Sequence, residues 1–296
     1  MRRIVQLVFS IMVLTLWVGC VTSGSYTYKV TPKAGSWLKS IAVPVPGKDF
    51  KGKLQIYFPK GYVKGSSART LIVLHGHNGS LRDWETNTTI EKMADQYHIV
   101  LVCPAMGKSM YASQYFPETK NKWSPLPGGV YMNTVLIPFI RGTFNLGVDS
   151  SKTGIMGLST GGRGALLTAA RMPQSFAAAA GVSGDYDPLS MTRNYLLKGV
   201  YGKYKDFKTR WEQVDNLMQL SIKLKNVAIF LSHGAKDYTI PREQSMLLAM
   251  RLKQLQKQKG GFRVTYNEVG FGIHDWRYWR KVLPGMMKFF DENLKK

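Results

Sequence analysis

Residues Gly157-Leu158-Ser159-Thr160-Gly161 hold a hydroxyl between two glycines, after the β-like run Thr153 to Leu158 and before the small-residue stretch Gly162-Arg163-Gly164-Ala165-Leu166-Leu167. A serine on a sharp strand-to-helix turn takes strained backbone angles, and flanking residues without a Cβ let the chain cross itself there. The turn lifts the hydroxyl out of the sheet, where it would attack a carbonyl carbon. The bare pattern arises often by chance. Its position between strand and helix, with neither GxGxxG nor a P-loop lysine beside it, gives it weight.

A serine hydroxyl is a poor nucleophile at neutral pH and needs a base that titrates near the working pH, which histidine supplies. Of the five histidines, His75 and His233 stand at strand ends before glycines, His98 opens a strand, and His77 lies in the loop after Leu74. His274, in Gly270-Phe271-Gly272-Ile273-His274-Asp275-Trp276, lies between the last strand and the last helix. It follows nucleophile and acid in the chain order of α/β-hydrolases.

The acid should follow a late strand, and Asp237 in Ser232-His233-Gly234-Ala235-Lys236-Asp237 does so. Its carboxylate would fix the imidazole tautomer and stabilise the imidazolium that forms. Asp185 and Asp187, just past a strand ending at Val182, are the competitors, whereas Asp275 is too close in sequence to face His274.

An oxyanion needs two backbone N–H donors. Thr160 would supply one. The other would come from the loop Leu74-His75-Gly76-His77-Asn78-Gly79, where His77 is the choice and Gly76 and Asn78 are neighbours that would shift it by one. His75-x-His77 has no partner at metal-ligand spacing such as HExxH, so no metal is expected.

These side chains need a scaffold. Apolar runs at 54–58, 70–74, 99–103, 153–158, 176–182, 227–232 and 262–269 alternate with helix-length segments at 84–97, 131–144, 160–171, 242–258 and 275–294. The alternation predicts βαβ units, and unbroken runs such as Leu71-Ile72-Val73-Leu74 predict a doubly wound, mostly parallel sheet with helices on both faces. One domain over 37–296 is expected, with a lid-like insertion around 186–221. Cys103 ends an apolar strand and reads as a core residue.

On these motifs the chain resembles the esterase D / putative esterase family of α/β-hydrolases. That group includes feruloyl and acetylxylan esterases, S-formylglutathione hydrolases and mycolyl transferases. The likeness runs from about Leu54 to Phe290 and rests on Leu74-His75-Gly76 with Gly79 and Trp84, Tyr131 to Ile140, Gly157 to Gly161, His233-Gly234 with Asp237, and His274-Asp275-Trp276 with Trp279. It implies a Ser-His-Asp mechanism with no metal or organic cofactor.

The chain begins Met1-Arg2-Arg3, continues with an apolar run from Ile4 to Val18 and reaches Gly19-Cys20, as a signal peptide does. The run is shorter than the ~20 residues of a membrane-spanning helix. Leu16-Trp17-Val18-Gly19-Cys20 resembles a bacterial lipobox, in which cleavage makes the lipidated cysteine the first mature residue. Residues 21–36 then read as a tether, and the expected location is the cell envelope or beyond.

A formal charge of +23 attracts anions. The lysines are scattered and no basic helix interleaved with aromatics appears, so nucleic acid is not the expected partner. Anionic lipid or an acidic polysaccharide fits better. The leader argues against the cytosolic S-formylglutathione branch, so the leading expectation is a carbohydrate esterase of acetyl or feruloyl type acting on an esterified polysaccharide. Two alternatives remain: an acyltransferase using the same triad, and a non-catalytic protein that binds anionic glycans. Trp123, Tyr186, Tyr195, Tyr201 and Trp211 are the aromatics available for stacking on sugars, although residues of this kind more often pack a core or a loop.

Overall fold

Strands with no polar alternation must be covered on both faces, and this requirement sets the architecture. The computed structural model describes residues 31–296. The expected signal peptide, the lipobox with Cys20, and the first part of the tether lie outside the described residues.

Eight strands form one sheet: β1 (Ser36–Pro44), β2 (Lys51–Phe58), β3 (Arg69–Leu74), β4 (Ile99–Pro104), β5 (Thr153–Leu158), β6 (Ala178–Val182), β7 (Ala228–Gly234) and β8 (Arg263–Val269). Their order is β1-β2-β4-β3-β5-β6-β7-β8. β2 pairs antiparallel with β1 and β4, and every later pairing is parallel.

Ten α-helices follow in chain order among the described residues: α1 (Asp83–Asn87), α2 (Ile90–Tyr97), α3 (Gly128–Tyr131), α4 (Ile137–Phe144), α5 (Thr160–Arg171), α6 (Tyr195–Tyr201), α7 (Lys208–Gln213), α8 (Leu217–Leu220), α9 (Glu243–Lys259) and α10 (Trp276–Asn293). Successive strand residues serve opposite faces. Ile72, Ile155 and Ile229 join the core that holds Ile140, Leu166 and Leu248, while Leu71, Met156 and Phe230 join the core that holds Ala94, Leu283 and Phe290. This is the doubly wound sheet of an α/β-hydrolase.

The structure departs from the sequence reading where local chemistry interrupts a period. β1 begins at Ser36, the residue expected to end the tether, and its alternation is broken by a register shift between Leu38 and Ile41, with Ser40 at φ 58°. The helix expected over 84–97 is two helices. Thr88 Oγ1 donates to the carbonyl of Trp84 and accepts from the N–H of Ile90, so a side chain replaces the backbone ladder at the break.

The helix expected over 131–144 starts at Gly128 and contains a wide π-turn at Met132–Leu136, just before Pro138. Proline has no N–H to close an α-turn onto the residue four back. Cys103 is buried on β4, as expected of a core residue.

Residues 186–221 contain α6, α7 and α8. They pack a small core of their own, Leu197, Val200, Tyr201 and Trp211 against Met110 and Ala112. Of the aromatics available for stacking on sugars, Tyr186, Tyr201 and Trp211 take the commoner role of buried packing residues, and Trp123 and Tyr195 reach solvent. Burial gains their large apolar surface while Tyr201 Oη–H donates to Asp215 and Trp211 Nε1–H to the Gly202 carbonyl, so the polar ends keep partners.

Candidate active site

The turn between β5 and α5 carries Ser159 at φ 53°, ψ −129°. Its N–H donates to the Val182 carbonyl at 2.8 Å, and its own carbonyl accepts from Arg163 at 3.1 Å, so the strained residue is held from both sides. The flanking glycines are required by close backbone approach. A Cβ on Gly157 would stand 2.3 Å from the Gly161 carbonyl oxygen, and one on Gly161 would stand 2.4 Å from that of His75. Neither neighbour is a side chain that can swing aside.

His274 Nε2 lies 3.0 Å from Ser159 Oγ, and His274 Nδ1 lies 2.7 Å from Asp237 Oδ2. The three side chains named from the sequence therefore meet in one hydrogen-bonded row. Two backbone strips bring the loops carrying acid and base together: Ala235 N–H donates to the Val269 carbonyl, and Lys236 N–H to the Gly272 carbonyl, each at 2.9 Å. They close on a contact between Gly234 and Gly272 where a side chain on either would collide with backbone. Trp279 sets its ring edge-on to the imidazole at 5.1 Å between centroids.

Asp237 is buried, and its other oxygen accepts from the N–H groups of Thr239 (3.0 Å) and Ile240 (2.9 Å). Burial by itself raises a carboxyl pKa. Here hydrogen bonds from His233 and His274, the imidazole charge and the Ile240 N–H outweigh it and hold the group well below the usual carboxylate range. An ionised Asp237 requires the proton on His274 Nδ1, which leaves Nε2 free to accept from the serine.

His233, weighed from the sequence only as a base, instead supports the acid. Its Nδ1 meets Ser245 Oγ at 2.8 Å, and its Nε2 donates to the Ile240 carbonyl at 3.0 Å with Asp237 Oδ2 at 3.4 Å. The i,i+4 spacing of His233 and Asp237 was the one signal that could have revealed it.

The other carboxylates are engaged elsewhere. Asp185 faces the guanidinium of Arg163 at 3.4 Å, Asp187 accepts from the Leu189 N–H, and Asp275 caps α10 by accepting from Tyr278 N–H at 2.9 Å.

On the opposite side of the serine, His75 Nδ1–H donates to the Gly76 carbonyl (2.7 Å) and Nε2 accepts from the Met106 N–H (2.8 Å). Both ring nitrogens are thus committed to backbone, and burial lowers the imidazole pKa. The histidine staples the 75–79 loop to the chain leaving β4. In that loop Asn78 N–H is spent on the Gly107 carbonyl and Gly79 N–H on the Gly76 carbonyl. Asn78 is thereby removed from the choice of second oxyanion donor, and His77 and Gly76 are left. Thr160 opens α5, and a first-turn N–H has no partner inside its own helix. Burial lowers the pKa of the His77 ring, with Lys108 adding to the effect, and the ring meets Trp123 edge-on.

One cluster had no sequence signal. Arg163, fully buried on α5, reaches the carbonyls of Asp185 (3.0 Å) and Asp215 (2.9 Å) and the hydroxyl of Tyr201 (3.0 Å). Tyr201 donates to Asp215 at 2.8 Å, and Arg171 pairs with the other oxygen of Asp215. The network ties the helix that opens at Ser159 to residues 186–221. Arg163 and Asp215 are 52 residues apart in sequence, so spacing could not group them.

A strained serine, an oriented imidazole and a buried carboxylate on a sheet wound this way have the arrangement of a serine hydrolase built on the α/β-hydrolase fold. Comparison with known proteins gives the family. The model described as Putative esterase matches residues 49–290, and the chain belongs to that family.

Among curated relatives, an acetyl esterase of Caldicellulosiruptor saccharolyticus is 24% identical over 247 residues, covering 78% of this chain and 86% of its own. The diacylglycerol acyltransferase/mycolyltransferase Ag85B of Mycolicibacterium smegmatis is 24% identical over 299 residues, covering 90% and 88%. Among solved structures, an S-formylglutathione hydrolase from Agrobacterium tumefaciens superposes with a TM-score of 0.69 at 16% identity, covering 89% of this chain and 98% of its own.

Proposed function

We propose that this chain is an exported carbohydrate esterase that removes acetyl or feruloyl groups through Ser159, His274 and Asp237. The observation that best supports this is the unbroken row from Ser159 Oγ through His274 to Asp237, with contacts of 3.0 and 2.7 Å.

Ser159 Oγ attacks the ester carbonyl as His274 Nε2 takes its proton. The oxyanion accepts from the Thr160 N–H and, in the 75–79 loop, the His77 N–H. Collapse breaks the bond to the alcohol, which leaves with the proton from His274. Water then loses a proton to His274, attacks the acyl-serine and releases the acid. Asp237 stays ionised throughout and stabilises the imidazolium.

Turnover of p-nitrophenyl acetate by Ser159→Ala tests the reading. A loss on the order of a million-fold in kcat is expected, and near-native turnover in the variant would remove Ser159 from the mechanism.

The likeness to an acyltransferase keeps a second reading alive, in which a sugar or lipid hydroxyl replaces water in deacylation. Product analysis with added acceptor alcohols separates the two: free acid supports the hydrolase, and a new ester supports the transferase. The basic leader and Gly19-Cys20 support export and attachment of the lipidated cysteine to a membrane. Radiolabelled palmitate on the wild type but not on Cys20→Ala would be the expected result.

A further inference from the structure

Ser159, Asp237 and His274 follow the ends of β5, β7 and β8, and the loops around them form the catalytic rim of the sheet. The opposite rim, where β3 to β8 begin, lies about 20 Å away, the length of a six-residue strand. Antiparallel pairing puts the end of β2 and the start of β1 on that opposite rim, since Ser36 stands across from Phe58 and Tyr57 across from Leu101. Gly35 N–H donates to the Phe58 carbonyl at 2.8 Å, so the chain preceding β1 joins the domain on the side away from the catalytic serine.

Lysines line this opposite rim. Lys60 and Lys64 follow β2, Lys152 precedes β5, and Lys223 and Lys225 precede β7. Lys257 and Lys259 close α9 just before Arg263 opens β8. The Lys295 N–H donates to the Ser151 carbonyl at 2.8 Å and so brings Lys295 and Lys296 to the start of β5. Apart from Lys60, which lies 3.7 Å from Asp95, none of these cations pairs with a carboxylate among the described residues. The acids of this rim are engaged: Asp95 by Tyr57 and the Lys60 N–H, Asp149 by Ser151, Asp291 by Arg69 and Glu292 by Lys288. On the catalytic rim, by contrast, Asp187, Asp206, Glu212, Glu243 and Asp275 are interspersed among the cations.

A cleft of about 540 Å³ draws Lys60, Lys152 and Lys296 together, with Tyr62, Ser67 and the Arg69–Asp291 pair on its wall. The rims also differ in their exposed apolar residues. Phe50, Trp123, Tyr195, Tyr238 and Phe271 all lie on the catalytic rim, whereas Val63, Val148 and Ile222 lie on the opposite one. Aromatic faces suit sugars. Exposed aliphatic side chains beside unpaired lysines suit the boundary of a bilayer, where lysine stems lie along apolar surface and the ammonium groups reach phosphate.

We propose that the rim opposite the catalytic serine docks on an anionic phospholipid bilayer, with headgroup phosphate in the cleft of Lys60, Lys152 and Lys296 and the catalytic rim turned outward. Docking requires neither turnover by Ser159 nor a lipid on Cys20. A lipid there would hold the same rim to the same surface, because the chain enters the fold on that side.

Co-sedimentation of the full-length Cys20→Ala protein with vesicles tests this, since the unlipidated leader is common to every variant and cancels between them. Binding to phosphatidylglycerol and phosphatidylcholine in equal parts is expected to exceed binding to phosphatidylcholine alone by about tenfold or more. It weakens with salt, because the screening length falls from about 30 Å at 0.01 M to about 8 Å at 0.15 M. A lysine at such a surface contributes about fivefold, so replacing Lys60, Lys152 and Lys296 together with glutamine lowers the partition coefficient about a hundredfold. Replacing Lys203, Lys205 and Lys208, exposed on the insertion of the catalytic rim, removes the same charge. That second triple variant changes binding less than about threefold, because its lysines stand beyond a screening length from the bilayer.

Equal losses from the two triple variants would mean that net charge alone binds, and would overturn the assignment to one rim. Equal binding to neutral vesicles, or indifference to salt, would overturn the role of charge, and neither measurement needs a lysine variant to fold. Tighter binding of polygalacturonate than of vesicles, lost when Lys60, Lys152 and Lys296 are replaced, would overturn the bilayer in favour of a polysaccharide. Turnover of p-nitrophenyl acetate by vesicle-bound protein should equal that in solution, and a site blocked on vesicles would overturn the outward orientation. An inactive protein that docks leaves this inference standing without the esterase reading, and an active esterase that fails to dock does the reverse.

Discussion

The two sides of the catalytic serine are held by different means. At the elbow itself and toward β7 and β8, backbone meets backbone: Gly157 against Gly161, Gly161 against His75, Gly234 against Gly272, and two carbonyl-bound N–H groups between the acid and base loops. Toward residues 186–221, the contact is made by charged side chains, with Arg163 and Arg171 gathering Asp185, Tyr201 and Asp215 into one buried network. The first side leaves no side-chain freedom at the reacting atoms. The second can be rebuilt by substitution without moving the serine, which is where a fold that serves many esters would place variation. The proposed role of residues 186–221 as a lid belongs to this second side.

Among changes that leave the nucleophile in place, breaking the row at its acid end gives the largest effect. Asp237→Asn keeps the shape but lets the imidazole place its proton on the wrong nitrogen, and kcat for a small ester should fall about 10⁴-fold with KM little changed. Steady-state kinetics at near-neutral pH read this, and a loss of less than tenfold would mean that another group orients His274.

On the side-chain half, Arg163→Met removes a fully buried cation and strands its partners. Chemical denaturation should show about 3–5 kcal/mol of lost stability, while the folded fraction retains most of its activity on p-nitrophenyl acetate. Equal damage to both would erase the distinction between the two halves.

Gly161→Ala tests the backbone half by overpacking. A Cβ 2.4 Å from the His75 carbonyl oxygen forces the elbow and the 75–79 loop apart, at about 1–3 kcal/mol of stability. Activity should fall by more than stability does, the reverse of Arg163→Met.

The smallest effect is one of pH. The carboxyl pKa of Asp237 is lower in the folded protein than in the unfolded chain, so its stabilising contribution is complete above about pH 4 and is lost as pH falls through the folded-state value. The stability gap between wild type and Asp237→Asn should therefore narrow between neutral pH and about pH 3. A constant gap in urea unfolding would contradict the depressed carboxyl.

Much of this arrangement is legible in residue order. Thr153 to Leu158 and Thr160 to Arg171 are strand and helix with the bounds read from the sequence, because the apolar run ends at a glycine-flanked serine and small helix formers follow. β1 was not legible, since a bulge at Leu38/Ile41 destroys the period that reveals a strand. Neither was the wide turn before Pro138, nor which of the aromatics would be buried: a separate small core takes Tyr201 and Trp211 and leaves Tyr195 exposed.

Local chemistry along the chain was enough to name a nucleophile, a base and an acid, because a strained turn, a titrating ring and a post-strand carboxylate each leave a mark within a few residues. Which nitrogen of His274 faces which oxygen, which loop N–H is already spent, and that His233 and Arg163 act as supports are matters of distance between segments far apart in sequence. Those distances come from packing the two layers of helices onto the sheet, and no local pattern records them.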